Sequence, residues 1–139
     1  MSHSIAEASQ QTGLSIDTLR YYERDGLLLH PVPRSSTGQR RYGPDDLRWI
    51  VLITRLRSTG MTIAEIRHYA ELARQGESTE QQRLDALRAH RERVLAQLVE
   101  VTGHLDAIDH KIGVYTARLA ERTTDELDLE RTPGSSVGA

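Results

Sequence analysis

The sequence predicts a mainly α protein: a front module of short helices around a basic hairpin, then one long helix built to pair with another. Three observations carry this. Helix-start signatures recur through the first half at Ser4, Ser15, Pro44 and Thr62. Between them, Pro31, Pro33 and the turn pair Thr37-Gly38 mark a stretch that cannot be helical. From Leu84 to Leu119, apolar residues recur at alternating steps of three and four, the spacing of a helix that buries one seam.

Composition narrows the function classes. Hydrophobic residues are 37% of the 139, Phe is absent and there is one Trp, so a large round core is not expected. The formal net charge of -2 conceals an asymmetry: residues 1–70 carry nine Arg against seven carboxylates, and 71–139 carry nine Arg or Lys against thirteen. Arg34 to Arg57 alone hold six Arg and two Asp. A basic front and an acidic rear fit a nucleic-acid module joined to something that is not one. The absence of Cys removes disulfides, thiolate metal sites and thiol redox sensing together. No apolar run approaches the ~20 residues of a membrane span, and the N-terminus lacks the apolar core of a signal peptide, so a cytoplasmic location is expected.

The first helix is read over Ser4 to Gln11, where Ser4 and Glu7 have capping-box spacing ahead of Ile5, Ala6 and Ala8. Gly13 supplies the turn into a second helix within Thr12 to Gly26, capped by Ser15, with Asp17 at its positive dipole end and Gly26 as its stop. On a helical wheel Ile16 and Leu19 share one side, Asp17, Thr18, Tyr21 and Arg24 face away, and Arg20 and Tyr22 fall on the flanks. Few residues anchor such a helix and many are presented, with two tyrosines beside arginines that suit phosphates and guanine edges. The pair has the dimensions of a helix-turn-helix.

Leu27 to Tyr42 reads as a small hairpin, or wing, with Arg34, Arg40 and Arg41 on its rim. Gly43-Pro44-Asp45-Asp46 then opens a helix that carries Leu47, Ile50, Val51, Ile53 and Leu56 to a stop at Gly60. Thr62 and Glu65 open another, which continues through Ile66, Tyr69 and Leu72 to a stop near Gly76. These two helices form the expected core beneath the reading head.

From Thr79 a heptad takes over, with its seam at Leu84, Leu87, Val94, Leu98, Val101, Leu105, Ile108, Ile112, Tyr115 and Leu119, and Arg91 as the one polar occupant. Forty residues of helix reach roughly 60 Å, longer than the front module could cover. Little chain follows Leu119 to fold back on it, so the expected partner is a second copy. The predicted fold is therefore a winged helix-turn-helix DNA-binding domain over 1–76, a coiled-coil dimerisation helix over 77–122, and a flexible tail over 123–139.

In this order of elements the chain resembles the MerR family of bacterial transcription regulators. The residues that carry the resemblance are Thr12 to Leu28 (TGLSIDTLRYYERDGLL), the wing Arg34 to Leu47 (RSSTGQRRYGPDDL) and Leu56 to Tyr69 (LRSTGMTIAEIRHY). It covers about the first 75 residues closely and the long helix by architecture. The resemblance implies a homodimer joined by an antiparallel pair of long helices, with recognition helices in successive major grooves of a pseudo-palindromic promoter operator. It also implies that regulation works by distorting the DNA, with RNA polymerase as a partner at the promoter.

Carried over by position, Ser15, Arg20 and Tyr22 from the helix and Arg34, Arg40 and Arg41 from the wing are the implied DNA contacts, and Tyr42 is implied to pack the wing. Asp17 and Thr18 on the outward face and Gln39 at the wing tip complete the DNA-binding set. Asp17 stands where members often carry Lys or Arg, and Gln39 where the wing tip is often Tyr. An architectural or excisionase-type DNA-bending protein with no direct role in promoter activation is the alternative. No catalytic residues, cofactor or metal site are expected: His104 and His110, six apart, face different sides of a helix, and His90 is read with them as a solvated flank. No ligand domain follows the long helix, so a small-molecule effector, if there is one, has its place near the dimer junction.

Overall fold

The computed structural model describes the backbone of residues 1–138 and the side chains of residues 1–128. Among the described residues five α-helices run in order, α1 (Ile5–Thr12), α2 (Ile16–Arg24), α3 (Pro44–Ser58), α4 (Ile63–Arg74) and α5 (Glu80–Gly138), with a 3₁₀ turn at Gly76–Thr79. Contacts divide the chain into two units, Met1–Val94 and Leu95 onward. No helix among the described residues is long and apolar enough to cross a membrane.

The helix starts lie where the sequence chemistry puts them. Ser4 Oγ accepts from the Glu7 amide at 3.1 Å while the Glu7 carboxylate accepts from the Ser4 amide at 3.0 Å. Thr62 and Glu65 repeat the exchange at the start of α4. At α3, the Gly43 amide donates to Asp46 at 2.8 Å, with Pro44 in the first turn, where no N–H is needed. Gly13, at φ 75°, takes the left-handed conformation that ends α1 and turns the chain into α2.

The first unit folds around a core that includes Ala8, Leu19, Tyr22, Leu27, Val32, Tyr42, Ile50, Ile53 and Ile66. Trp49 closes one side, stacked on Tyr69 at 5.6 Å and donating to the Leu27 carbonyl at 2.8 Å. Two arginines of α4 reach back to the end of the second helix: Arg67 donates to the Asp25 carbonyl, and the Arg74 guanidinium to the carbonyls of Gly26, Leu28 and Leu29. Carbonyls that follow a helix end lack intrahelical partners, and these guanidiniums supply them.

By its contacts the front unit takes in the first turns of α5 as far as Val94: Leu87, expected in the dimer seam, packs against the core, and Val94 is half-buried. His90, expected in solvent, is buried between Thr59 and Arg93. It lies three residues after Leu87, on the turned-in face of α5. The segment 123–139, expected as a flexible tail, is described as helix as far as Gly138, with the hydroxyls of Thr123 and Thr124 bonded to the carbonyls one turn back; its side chains from 129 onward lie outside the described residues.

In the second unit, Leu98, Val101, Leu105, Ile108, Ile112, Tyr115 and Leu119 are all more than half exposed, a continuous apolar stripe on one helix face. Leu84, the first residue of the predicted seam, is 40% exposed.

Candidate nucleic-acid interface

Ser15 holds the start of α2. Its hydroxyl accepts from the Thr18 amide at 3.0 Å and donates to Thr18 Oγ1 at 2.9 Å. Asp17 follows in the first turn, 3.8 Å from Arg20, and both project into solvent. One turn on, the two tyrosines part company. Tyr21 is half-buried, with the guanidiniums of Arg24 and Arg57 over its ring at 5.7 and 5.8 Å. Tyr22 is 2% exposed, its hydroxyl 3.4 Å from Thr54. The expectation that Tyr22 contacts DNA is therefore corrected: it lies three residues after Leu19, on the same helix face, and fills the core.

The wing is a tight loop. Arg34 and Arg40 pair in a single antiparallel bridge, the Ser35 amide donates to the Gln39 carbonyl at 2.8 Å, and Gly38 takes φ 82° at the tip. A second bridge joins Tyr42 to His3, tying the wing's outgoing limb to the N-terminus. Tyr42 is fully buried beneath it, as wing packing requires.

The three wing arginines differ in freedom. Arg41 donates to Ser2 through Nε and a terminal nitrogen, so it anchors the N-terminal segment. Arg40 donates from Nε to Glu23 Oε1 at 2.8 Å and is 22% exposed. Arg34 stands 3.7 Å from the same oxygen and is 48% exposed, which leaves it the freest cation of the wing. Arg20, Arg34, Gln39 and Arg40, with residues Ser4 to Ala6 at the start of the first helix, line a cavity of about 370 Å³ between the recognition helix and the wing. Three guanidiniums around a cleft of this size have the chemistry to receive a phosphate.

Glu23 was not singled out in the sequence. Burial alone would raise its carboxyl, but the hydrogen bonds from Arg40 and the Val32 amide and the charges of Arg40 and Arg34 outweigh that and hold it below the ordinary range. Its partners lie nine and seventeen residues further on, across two prolines, where no local spacing rule reaches. Arg67 and Arg74 were also missed; their common spacing of seven along α4 was the signal available.

Comparison with known proteins agrees with this geometry. Residues 3–72 match the family model described as MerR HTH family regulatory protein, and residues 47–111 match the one described as MerR, DNA binding. The chain belongs to the MerR family. An uncharacterised HTH-type transcriptional regulator of Haemophilus influenzae is 32% identical over 98% of this chain and all of its own length. Among solved structures, a putative MerR family transcriptional regulator from Listeria monocytogenes aligns with a TM-score of 0.83 at 36% identity, covering 94% of this chain and 99% of that one. HiNmlR, described as a MerR family regulator lacking the sensor domain and solved bound to promoter DNA, aligns with a TM-score of 0.78 at 33% identity over 86% of this chain and 94% of that one. As a MerR-type protein the chain is a DNA-binding transcriptional regulator, and the architectural or excisionase-type alternative is not favoured.

Proposed function

We propose that this regulator works as a homodimer that binds a pseudo-palindromic promoter operator and controls RNA polymerase by distorting the DNA. The observation that carries the proposal is the apolar stripe from Leu98 to Leu119, each seam residue more than half exposed in the single chain. A stripe at alternating steps of three and four over this length is stabilised by a second helix of the same pattern, and a second copy supplies one.

Pairing the long helices ties two reading heads to one hub, and the duplex adapts to engage both. Bending 20 to 30 base pairs costs of order 1 to 6 kcal/mol, least at pyrimidine–purine steps, and the phosphate contacts of Arg20 and Arg34 offset it. Sedimentation of the full chain at micromolar concentration tests the dimer, and circularly permuted operator fragments test the bend. A monomer, or mobility that does not depend on where the operator lies in the fragment, would overturn the corresponding half of the proposal.

A further inference from the structure

Glu23, in the last turn of α2, has a side chain only 14% exposed although it faces the wing's cations. Its Oε2 accepts from the Val32 amide at 2.6 Å, and its Oε1 accepts from Arg40 Nε at 2.8 Å, with an Arg34 nitrogen 3.7 Å away. Val32 sits between Pro31 and Pro33, which have no N–H, so its amide is the one backbone donor of the stretch from Pro31 to Pro33. Arg40 belongs to the outgoing limb, bridged to Arg34 across the wing. Both limbs of the wing and the recognition helix thus meet on a single carboxylate.

We propose that Glu23 is a positioning residue for DNA discrimination: it fixes the wing's register against the recognition helix and restrains Arg40 and Arg34 from gripping phosphates that do not fit. The proposal rests on the reading of α2 and the wing as the DNA-contacting surface. A phosphate contact carries no sequence information of its own, and a freely swinging arginine engages any duplex. An arginine held at one place engages only a backbone that passes through that place, which a correctly docked recognition helix provides. The anionic neighbour therefore lowers binding to random DNA while leaving the operator complex its pre-set contacts.

The test uses the full chain, a duplex that the wild-type protein selects from random DNA, and a scrambled duplex of the same length, with affinities measured across a salt series. Glu23→Gln keeps the side-chain size and an oxygen for the Val32 amide but removes the charge. The expected result is tighter binding to the scrambled duplex with a salt slope steeper by about one unit, and a selected-to-scrambled affinity ratio lower by roughly tenfold. A purely structural Glu23 would weaken both duplexes in proportion and leave the slope unchanged, and that outcome overturns the proposal.

Arg40→Gln, which leaves the Glu23 bond to Val32 in place, covers the case in which Glu23→Gln folds poorly. It should weaken the selected duplex and spare the scrambled one; equal losses on both overturn the assignment. In the double variant, the steepening produced by Glu23→Gln should shrink, because one freed cation is gone, and a steepening as large as in the single variant counts against it. Failure of the wild-type chain to select any duplex would sink the DNA-contact reading itself, whereas wild-type selection with an unchanged Glu23→Gln ratio sinks this inference alone.

Discussion

Thr59 Oγ1 and His90 Nε2 lie 2.7 Å apart and join the end of α3 to the first turns of α5. The threonine hydroxyl has carbonyls of Arg55 and Leu56 at 2.9 and 3.1 Å to receive its proton, so its oxygen accepts from the ring. On the other side, His90 Nδ1 faces a guanidinium nitrogen of Arg93 at 3.2 Å, a group that only donates. The tautomer with its proton on Nε2 satisfies both nitrogens of this buried ring, an assignment that follows from the surrounding bonds. Arg93 also donates to Glu65 at 2.8 Å, so the start of α4 is tied into the same chain of bonds.

Thr59→Val keeps the shape but strands the His90 donor, and should cost about 1 to 3 kcal/mol. Thr59→Ser should recover most of it. Urea denaturation of the three proteins checks this; a valine variant as stable as wild type would show that His90 has another acceptor.

Tyr22 makes a second prediction. As a core residue with one long hydroxyl contact, it should tolerate Tyr22→Phe at a cost of under about 1 kcal/mol, with operator affinity retained. Truncation by Tyr22→Ala should cost about 3 to 5 kcal/mol in stability. Arg20→Ala should do the reverse, sparing stability and lowering the salt slope by about one unit. A phenylalanine variant with normal stability and operator binding weakened tenfold would return Tyr22 to the DNA contacts.

These two cases mark how far the sequence could be read. Ser4 with Glu7, and Thr62 with Glu65, declare their helix starts because a capping box is local, its chemistry complete within four residues. The seam from Leu98 to Leu119 is equally legible, since a helix turns each residue by a fixed angle. Tyr22 was misplaced because a phenol beside arginines suits both DNA and a core, and only its neighbour three residues back, Leu19, decides between them. His90 and Glu23 could not be placed at all from spacing. Each is a polar group buried by partners more than one turn away in the chain, Thr59 for one and Val32 and Arg40 for the other, and such pairings exist only once the fold has brought them together.

Acid provides a third test. Glu65 is held below the ordinary carboxylate value of 4.5 by Arg93 and by its capping bonds with Thr62. Glu23 is held below it by its hydrogen bonds and cations, against the opposing effect of burial. A carboxylate depressed in the folded state contributes stability that is present above its unfolded value and lost as pH falls through the folded one. Stability should therefore hold down to about pH 4.5 and decline below it, and the gap between wild type and Glu23→Gln should narrow over the same interval. Urea midpoints in steps from about pH 7 to about pH 3 read this directly. A gap that stays constant across the range would mean that the Glu23 charge contributes nothing to the fold.

The last prediction concerns the direction of the paired helices. Family resemblance favours antiparallel pairing, and the exposed stripe contains a register that would support it. About a midpoint between residues 106 and 107, antiparallel copies set Leu98 against the partner's Tyr115, Val101 against the partner's Ile112 and Leu105 against the partner's Ile108, so every exposed seam residue from Leu98 to Tyr115 meets an apolar one. Parallel copies would set each residue against itself. Far from the midpoint the two cases separate cleanly: antiparallel copies hold their two Leu98 positions about 25 Å apart at ~1.5 Å per residue, beyond the ~7 Å limit for a disulfide. The chain has no Cys, so introduced thiols are the only ones present. Leu98→Cys alone should not form a cross-linked dimer on oxidation, whereas an equimolar mixture of Leu98→Cys and Tyr115→Cys chains should cross-link between unlike chains. Rapid cross-linking of Leu98→Cys by itself would mean that the hub is parallel, and would place both reading heads at the same end of it.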